Sequence, residues 1–318
     1  MYQLLNMLKY RYFILTISLL FLHIYLGYAQ TASPVIKNFT MDHFQAQKLN
    51  ISPQFWAFIQ DKRGVVYIAN NDGILEFDGV KWRIIIGTYK KEFSSLAIDN
   101  YGRIFSGGNN DFGYLEVDSS GKLAFVSLLS FVDENDRDFG DVKTTQCINE
   151  SVFFITDLKI FKWNRVEIKV WEMKEYLGWA FKIENQLYIW QYKKGLMILH
   201  NDSLKLIPDG EIFKEVIVTA MMPHTITNDK ITSILIGELR RGLFLYNGKS
   251  IKPFKTQADE ILINNFLYCG TRLSNGNFAL GTFGGGLVVI DQYGKITSLV
   301  NKQNGLLDDV IISLYVDV

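Results

Sequence analysis

Beyond residue 50 the chain is a succession of short apolar runs separated by clusters of Asp, Asn and Gly. No useful stretch repeats its apolar positions every ~3.6 residues, as an amphipathic helix would. The runs are rich in β-branched and aromatic residues, which fit a pleated, half-buried surface. One block recurs: a glycine, two apolar residues, any residue, an apolar residue, then a polar turn. It stands at Gly73–Phe77, Gly113–Val117, Gly195–Leu199, Gly242–Tyr246 and Gly286–Ile290, with a degenerate copy at Leu158–Lys162. From Gly73 to Gly286 the mean spacing is about 43 residues.

Such a period, with room for four short strands per unit, predicts an all-β fold: a β-propeller of four-stranded antiparallel blades. Blade one reads as strands A to D at Phe55–Gln60, Val65–Asn70, Ile74–Phe77 and Lys81–Ile86. The turns between them are Asp61–Gly64, Asn71–Gly73 and Asp78–Gly79, where glycine supplies the positive φ that tight turns need. Blade two repeats the order at Ser95–Ile98, Arg103–Gly107, Tyr114–Val117 and Leu123–Leu128. Blades three to six begin near Asp141, Trp179, Glu215 and Asn265. Asp308–Asp317 reads as the first strand of a seventh blade, so the expectation is six blades plus one strand of a truncated seven-bladed ring. The alternative closure is a six-bladed ring completed by that strand or by Val35–Phe39. A β-sandwich also has many short strands, but nothing in it requires one fixed period.

The start of the chain has a different pattern. Lys9 and Arg11 precede a run from Tyr12 to Ala29 without acidic or basic side chains apart from His23. Gly27 and Ala29 are the small residues that a signal peptidase site needs. The expected layout is a signal peptide over 1–29, a lead-in over 30–50 and the propeller over 51–318, on the periplasmic or extracytoplasmic side of the membrane. An uncleaved anchor is the competing reading, although the run is at the short limit for a spanning helix of about 20 residues.

Composition removes several functions. Lys+Arg and Asp+Glu are both 33, so no basic surplus exists to neutralise phosphates, and nucleic acid is not an expected partner. Two cysteines make no disulfide scaffold, and four histidines leave little material for a metal centre. No Gly-x-Ser-x-Gly elbow or His-Glu-x-x-His motif is present, and no cofactor is implied. Gly281–Gly286 is glycine-rich, but no Lys-Ser/Thr follows, so it reads as a strand turn and not a phosphate cradle.

Strand parity places the B–C turns and the D–A connections at one end of the ring, and several D–A connections are long. The B–C turns carry the candidate ligand-binding residues: Asn71 and Asp72, Asn110, Asp111 and Phe112, Tyr192 and Lys193, Arg240 and Arg241, and Phe283. Amides, carboxylates and rings around a shallow mouth suit a small polar ligand, an oligosaccharide among the candidates. Asn and Asp also make turns without any ligand, and an Arg pair is commonly just solvated.

The blade-one block carries a more specific likeness. Phe55-Trp56-Ala57, Gln60-Asp61-Lys62-Arg63-Gly64-Val65-Val66-Tyr67, Asn70-Asn71-Asp72-Gly73-Ile74-Leu75-Glu76-Phe77-Asp78-Gly79 and Trp82, with Asn304-Gly305-Leu306 leading to Asp309-Val310, resemble the two-component regulator propeller family. The resemblance implies the N-terminal extracytoplasmic sensor region of a bacterial hybrid histidine kinase or triple-tyrosine-motif regulator. It implies no enzyme activity in this segment, membrane contact only through the signal or a C-terminal span, and a dimeric parent receptor. The alternatives are a secreted propeller enzyme acting on polysaccharide and a protein-binding scaffold.

Overall fold

In the computed structural model the described residues are 51–86, 91–225 and 233–316. They form six four-stranded antiparallel sheets, each with its strands in sequence order from A to D. The A strands are Phe55–Gln60, Phe93–Ile98, Thr144–Ile148, Leu177–Ile183, Val218–His224 and Leu267–Arg272. Each A strand packs against the A strand of the next blade from blade one through blade six. They are therefore the inner strands of a radial array, and the chain is a propeller of six blades. The expected signal peptide over 1–29, the expected lead-in over 30–50 and Val35–Phe39 lie outside the described residues.

The glycine that sets the repeat has a steric cause. It lies at or near the start of strand C. At Gly73, Gly113 and Gly286 a Cβ would run into strand D, 2.7 Å from the Ile85 carbonyl oxygen, 2.0 Å from that of Val126 and 2.3 Å from that of Val300. At Gly195 the obstacle is the Gly210 carbonyl at 2.1 Å, and Gly242 takes φ +81°. The Asp-x-x-Gly turns also have a plain mechanism. In blade two the Asp99 carboxylate accepts the N–H groups of Tyr101 and Arg103, each at 2.9 Å, while Gly102 takes φ +84°. Asp61, Asp118 and Asp291 accept the N–H groups two and four residues ahead in the same way.

The core lies between blades. A sheet buried on both faces needs apolar side chains on both, and the layers between sheets supply the partners. Between blades two and three, Phe112 stacks on Phe154 with ring centroids 4.3 Å apart and meets Phe161 at 4.9 Å. Phe139, Val142 and Trp163 complete that layer. Polar staples join the same blades at the far end. Arg165 of blade three ion-pairs with the buried Asp99 of blade two at 2.7 Å, and the Tyr101 hydroxyl donates to Glu150 at 3.0 Å.

Two features depart from expectation. A short helix, Asp259–Asn264, fills the connection into blade six, where a loop was expected. Residues 308–316 do not form a strand ladder. They run extended beside blade six through one bridge, Phe283 with Val310, and a hydrogen bond from the Ile311 N–H to the Thr282 carbonyl at 2.9 Å. Further on, the Tyr315 hydroxyl donates to the Gln60 carbonyl of blade one at 3.2 Å. The segment thus touches both the last blade and the first. Cys147 and Cys269 are free thiols, on the A strands of blades three and six.

Two outcomes follow. Phe112→Ala removes the centre of a closed ring layer and costs about 3–5 kcal/mol, read as a shifted denaturant midpoint. Stability also falls in acid. Ser120 and backbone N–H groups hold Asp118 below its ordinary value of 3.8, Lys169 and Lys162 do so for Asp202, and at Asp61 burial is outweighed by Arg63 and two backbone N–H groups. Groups depressed in the folded state stabilise it fully above the unfolded value and lose that contribution as pH falls through the folded value. Melting temperature therefore holds steady down to about pH 4 and declines below it, measured by circular dichroism.

Candidate functional site

The mouth of the ring is built by a defect repeated from blade to blade. At the start of strand A, pairing with strand B slips by one residue in five blades: within Phe55–Ala57, Phe93–Ser95, Leu177–Ala180, Val218–Ala220 and Leu267–Cys269. A bulge leaves a residue unpaired and re-aims its side chain. The residues so released are Trp56, Ser94, Gly178 with Trp179, Thr219 and Tyr268. All of them line the axial cavities.

The outer cavity has a volume of about 690 Å³. Its aromatic lining is Trp56, Tyr176, Trp179, Tyr268 and Phe283, and its polar lining includes Gln54, Glu92, Ser94, Asp141 and Lys143. Trp179 of blade four meets Tyr268 of blade six edge-on at 5.7 Å, and Tyr268 meets Phe283 at 5.5 Å. Three rings thus form a continuous strip across the mouth. Trp56 is fixed from behind, its indole Nε1 donating to the Asn71 side-chain oxygen at 2.6 Å. The Lys143 ammonium sits 3.9 Å from the centre of the Tyr176 ring and ion-pairs with Asp157. Asp141 accepts from the Asn109 amide at 2.7 Å.

Below the mouth a narrower channel of about 280 Å³ continues between the A strands. Ser94, Ser95, Thr144, Thr145, Gln146 and Thr219 line it. Their hydroxyls are largely spent on the fold. Ser95 bonds Thr145 at 2.8 Å, Ser94 donates to the Val142 carbonyl at 2.9 Å, and Thr219 donates to the Leu267 carbonyl at 2.8 Å. Cys269 also lines the channel, and burial pushes its thiol up to about 12, so it is no nucleophile.

The residues singled out from sequence occupy three kinds of place. Phe283 lines the mouth directly, and Asn71 reaches it through Trp56. Several others hold loops. Asp72 accepts the Ser52 N–H, and the Asn110 side-chain oxygen accepts the N–H groups of Phe139 and Gly140 at 2.8 and 2.6 Å. Arg241 ion-pairs with the buried Glu238 at 3.3 Å and donates to the Ile212 carbonyl at 3.1 Å. Arg240 lies over the Phe266 ring, and Lys193 over the exposed Tyr192 ring. The last two are interior. Asp111 is buried against Lys91 and Ser127, and Phe112 is fully buried in the ring layer.

The sequence reading passed over Trp56, Glu92, Lys143, Tyr176, Trp179 and Tyr268. The bulge has a signature that could have found the ring-bearing strand positions: an apolar residue, one or two unconstrained residues, then a small one. It reads Phe55-Trp56-Ala57, Leu177-Gly178-Trp179-Ala180 and Leu267-Tyr268-Cys269. Histidine is placed elsewhere among the described residues. His224 ends strand A of blade five, stacked on Phe278 and bonded to Ser233 and the Gln292 carbonyl. His200 ends strand C of blade four. Among the described residues no group of three or more His, Cys, Asp or Glu could hold a metal ion, and no helix is long and apolar enough to cross a membrane.

No protein-family model matches the chain, and no curated protein matches it. Its likenesses are to solved structures. The extracellular domain of BT4673 from B. thetaiotaomicron, described both as a one-component and as a hybrid two-component system, superposes with a TM-score of 0.62 at 16% identity over 85% of this chain. The chain covers 36% of that domain, about a third of its length. Virginiamycin B lyase from Staphylococcus aureus aligns with a TM-score of 0.58 at 13% identity, over 85% of this chain and 92% of the lyase. The WD40 propeller domain of Doa1 aligns with a TM-score of 0.61 at 12% identity, over 83% of this chain and 86% of that domain. At these identities the comparisons establish the architecture: the chain shares its propeller fold with proteins of different function.

Proposed function

We propose that this propeller is the extracytoplasmic ligand-sensing region of a transmembrane signalling regulator of the two-component kind. The observation that carries the reading is the mouth: five aromatic side chains from blades one, four and six and the connections beside them converge on one cavity with carboxylate, amide and amine groups between them. Flat rings with interspersed hydrogen-bonding groups suit a polar ligand with flat apolar faces, such as an oligosaccharide. The blade-one motif points the same way, and BT4673 is an extracellular domain of a signalling system that shares the fold. In this reading residues 308–316 are the inner strand of a seventh blade that closes the ring between blades six and one. The ligand drives signalling only in so far as it binds one arrangement of the parent receptor better than the other.

A second reading, polysaccharide cleavage, is favoured by one observation: Glu92 and Asp141 line the same cavity. Glycoside chemistry uses a carboxylate pair. The two readings separate in one assay, because cleavage produces new reducing ends and sensing does not.

Under the sensing reading, a panel of neutral oligosaccharides contains at least one that raises the melting temperature by about 5 °C at a hundredfold excess over Kd. Trp179→Ala then weakens binding about tenfold or more by calorimetry, with the free protein's melting temperature little changed. No shift with any member, or equal affinity in the variant, counts against the mouth as the ligand site. Release of reducing ends that Glu92→Gln abolishes would replace sensing by catalysis.

A further inference from the structure

The mouth also has a sign of charge. Its described lining holds two carboxylates, Glu92 and Asp141, and neither is in an ion pair among the described residues. The cation in that lining, Lys143, is already matched by Asp157. Of the cations in the nearby turns, Arg241 is paired with Glu238, while Arg240 over Phe266 and Lys193 over Tyr192 lie outside the described lining. Five aromatic rings line the same cavity, and a ring face attracts a cation within about 6 Å of its centre. The Lys143 ammonium already lies beside one of these rings, 3.9 Å from the Tyr176 centre and donating to its hydroxyl.

We propose that the mouth selects a ligand bearing a positive charge, an amine or quaternary ammonium group carried on a flat polar frame, over an acidic ligand of the same size. The proposal rests on the mouth being the ligand site. Aromatic walls with carboxylates between them are the surroundings that stabilise an organic cation as it leaves water. An acidic sugar brought to the same walls meets two like charges, while the cation of the described lining already faces Asp157, which is a repulsive element against the wrong ligand.

The test compares three oligomers of one length by calorimetry: glucosamine at a pH where its amines are protonated, N-acetylglucosamine and galacturonate. The glucosamine oligomer is expected to bind about tenfold tighter than the acetylated one, and the galacturonate oligomer weakest. High salt narrows the gap. The Glu92→Gln/Asp141→Asn double variant, which preserves shape, removes most of it while its melting temperature stays close to that of the parent. Equal or tighter binding of the acetylated or acidic oligomer overturns the charge selection and leaves the mouth as a ligand site. A gap that persists in the double variant also overturns it. Failure of all three oligomers, and of the neutral panel, overturns both.

Discussion

A four-stranded sheet with apolar side chains on both faces has no stable existence alone. Each face must be covered, and in this chain the cover is the next copy of the same sheet. Phe112, Phe154 and Phe161 show the arrangement, since rings from two blades share one layer. The repeat period, the radial array and the central cavity all follow from that requirement. A blade wide enough to cover its neighbour splays outward, and the A strands are left facing one another across an axis.

The axis is where function can be placed, because the A strands are too far apart there to fill the space completely. Short polar residues line the channel, and their hydroxyls bind neighbouring blades. At the mouth the repeated bulge releases one or two residues per strand from the ladder. The fold is thereby preserved by the small residue that follows, such as Ala57 or Ala180, while the released position is free to vary. Trp56, Trp179 and Tyr268 are what this chain has put there. A scaffold that fixes its small positions and frees the adjacent one can change ligand without changing shape, consistent with one fold being shared by a signalling domain and a lyase.

Much of the ring was legible because its signals are steric and local. The repeat glycine is demanded in three blades by a carbonyl of strand D, and the Asp of the Asp-x-x-Gly turn by two backbone N–H groups, so both appear as letters in the sequence. The interior of the mouth was not legible, because a bulge is a slip of register between two strands and has no obligatory residue. Phe112 illustrates the same limit. It follows a polar cluster that reads as an extended turn, yet strand C already begins at Asp111, and the alternation of the strand turns the ring inward to the layer between blades. Lys143 and Glu92 carry no motif at all. They become neighbours of the rings only when blades two, three and four are set around the axis.

For the proposed sensing role the remaining tension is between rigidity and signalling. A ring whose blades are stapled to one another by pairs such as Asp99 with Arg165 resists displacement of one blade against the next. Movement is cheaper where the array is held by fewer contacts. Residues 308–316 are such a place: in place of a full strand ladder they meet blade six through the Phe283–Val310 bridge and hydrogen bonds at Asp309 and Ile311, and blade one through the Tyr315 hydroxyl, and Val310 and Ile312 of the same segment line the mouth. A ligand touching Phe283 and Val310 would therefore act on the join between last and first blades and not on a closed sheet. Coupling of that kind needs no distortion of any blade. It needs only that the occupied mouth favour one seating of this segment over another, and the energy available for that is the difference in ligand affinity between the two seatings.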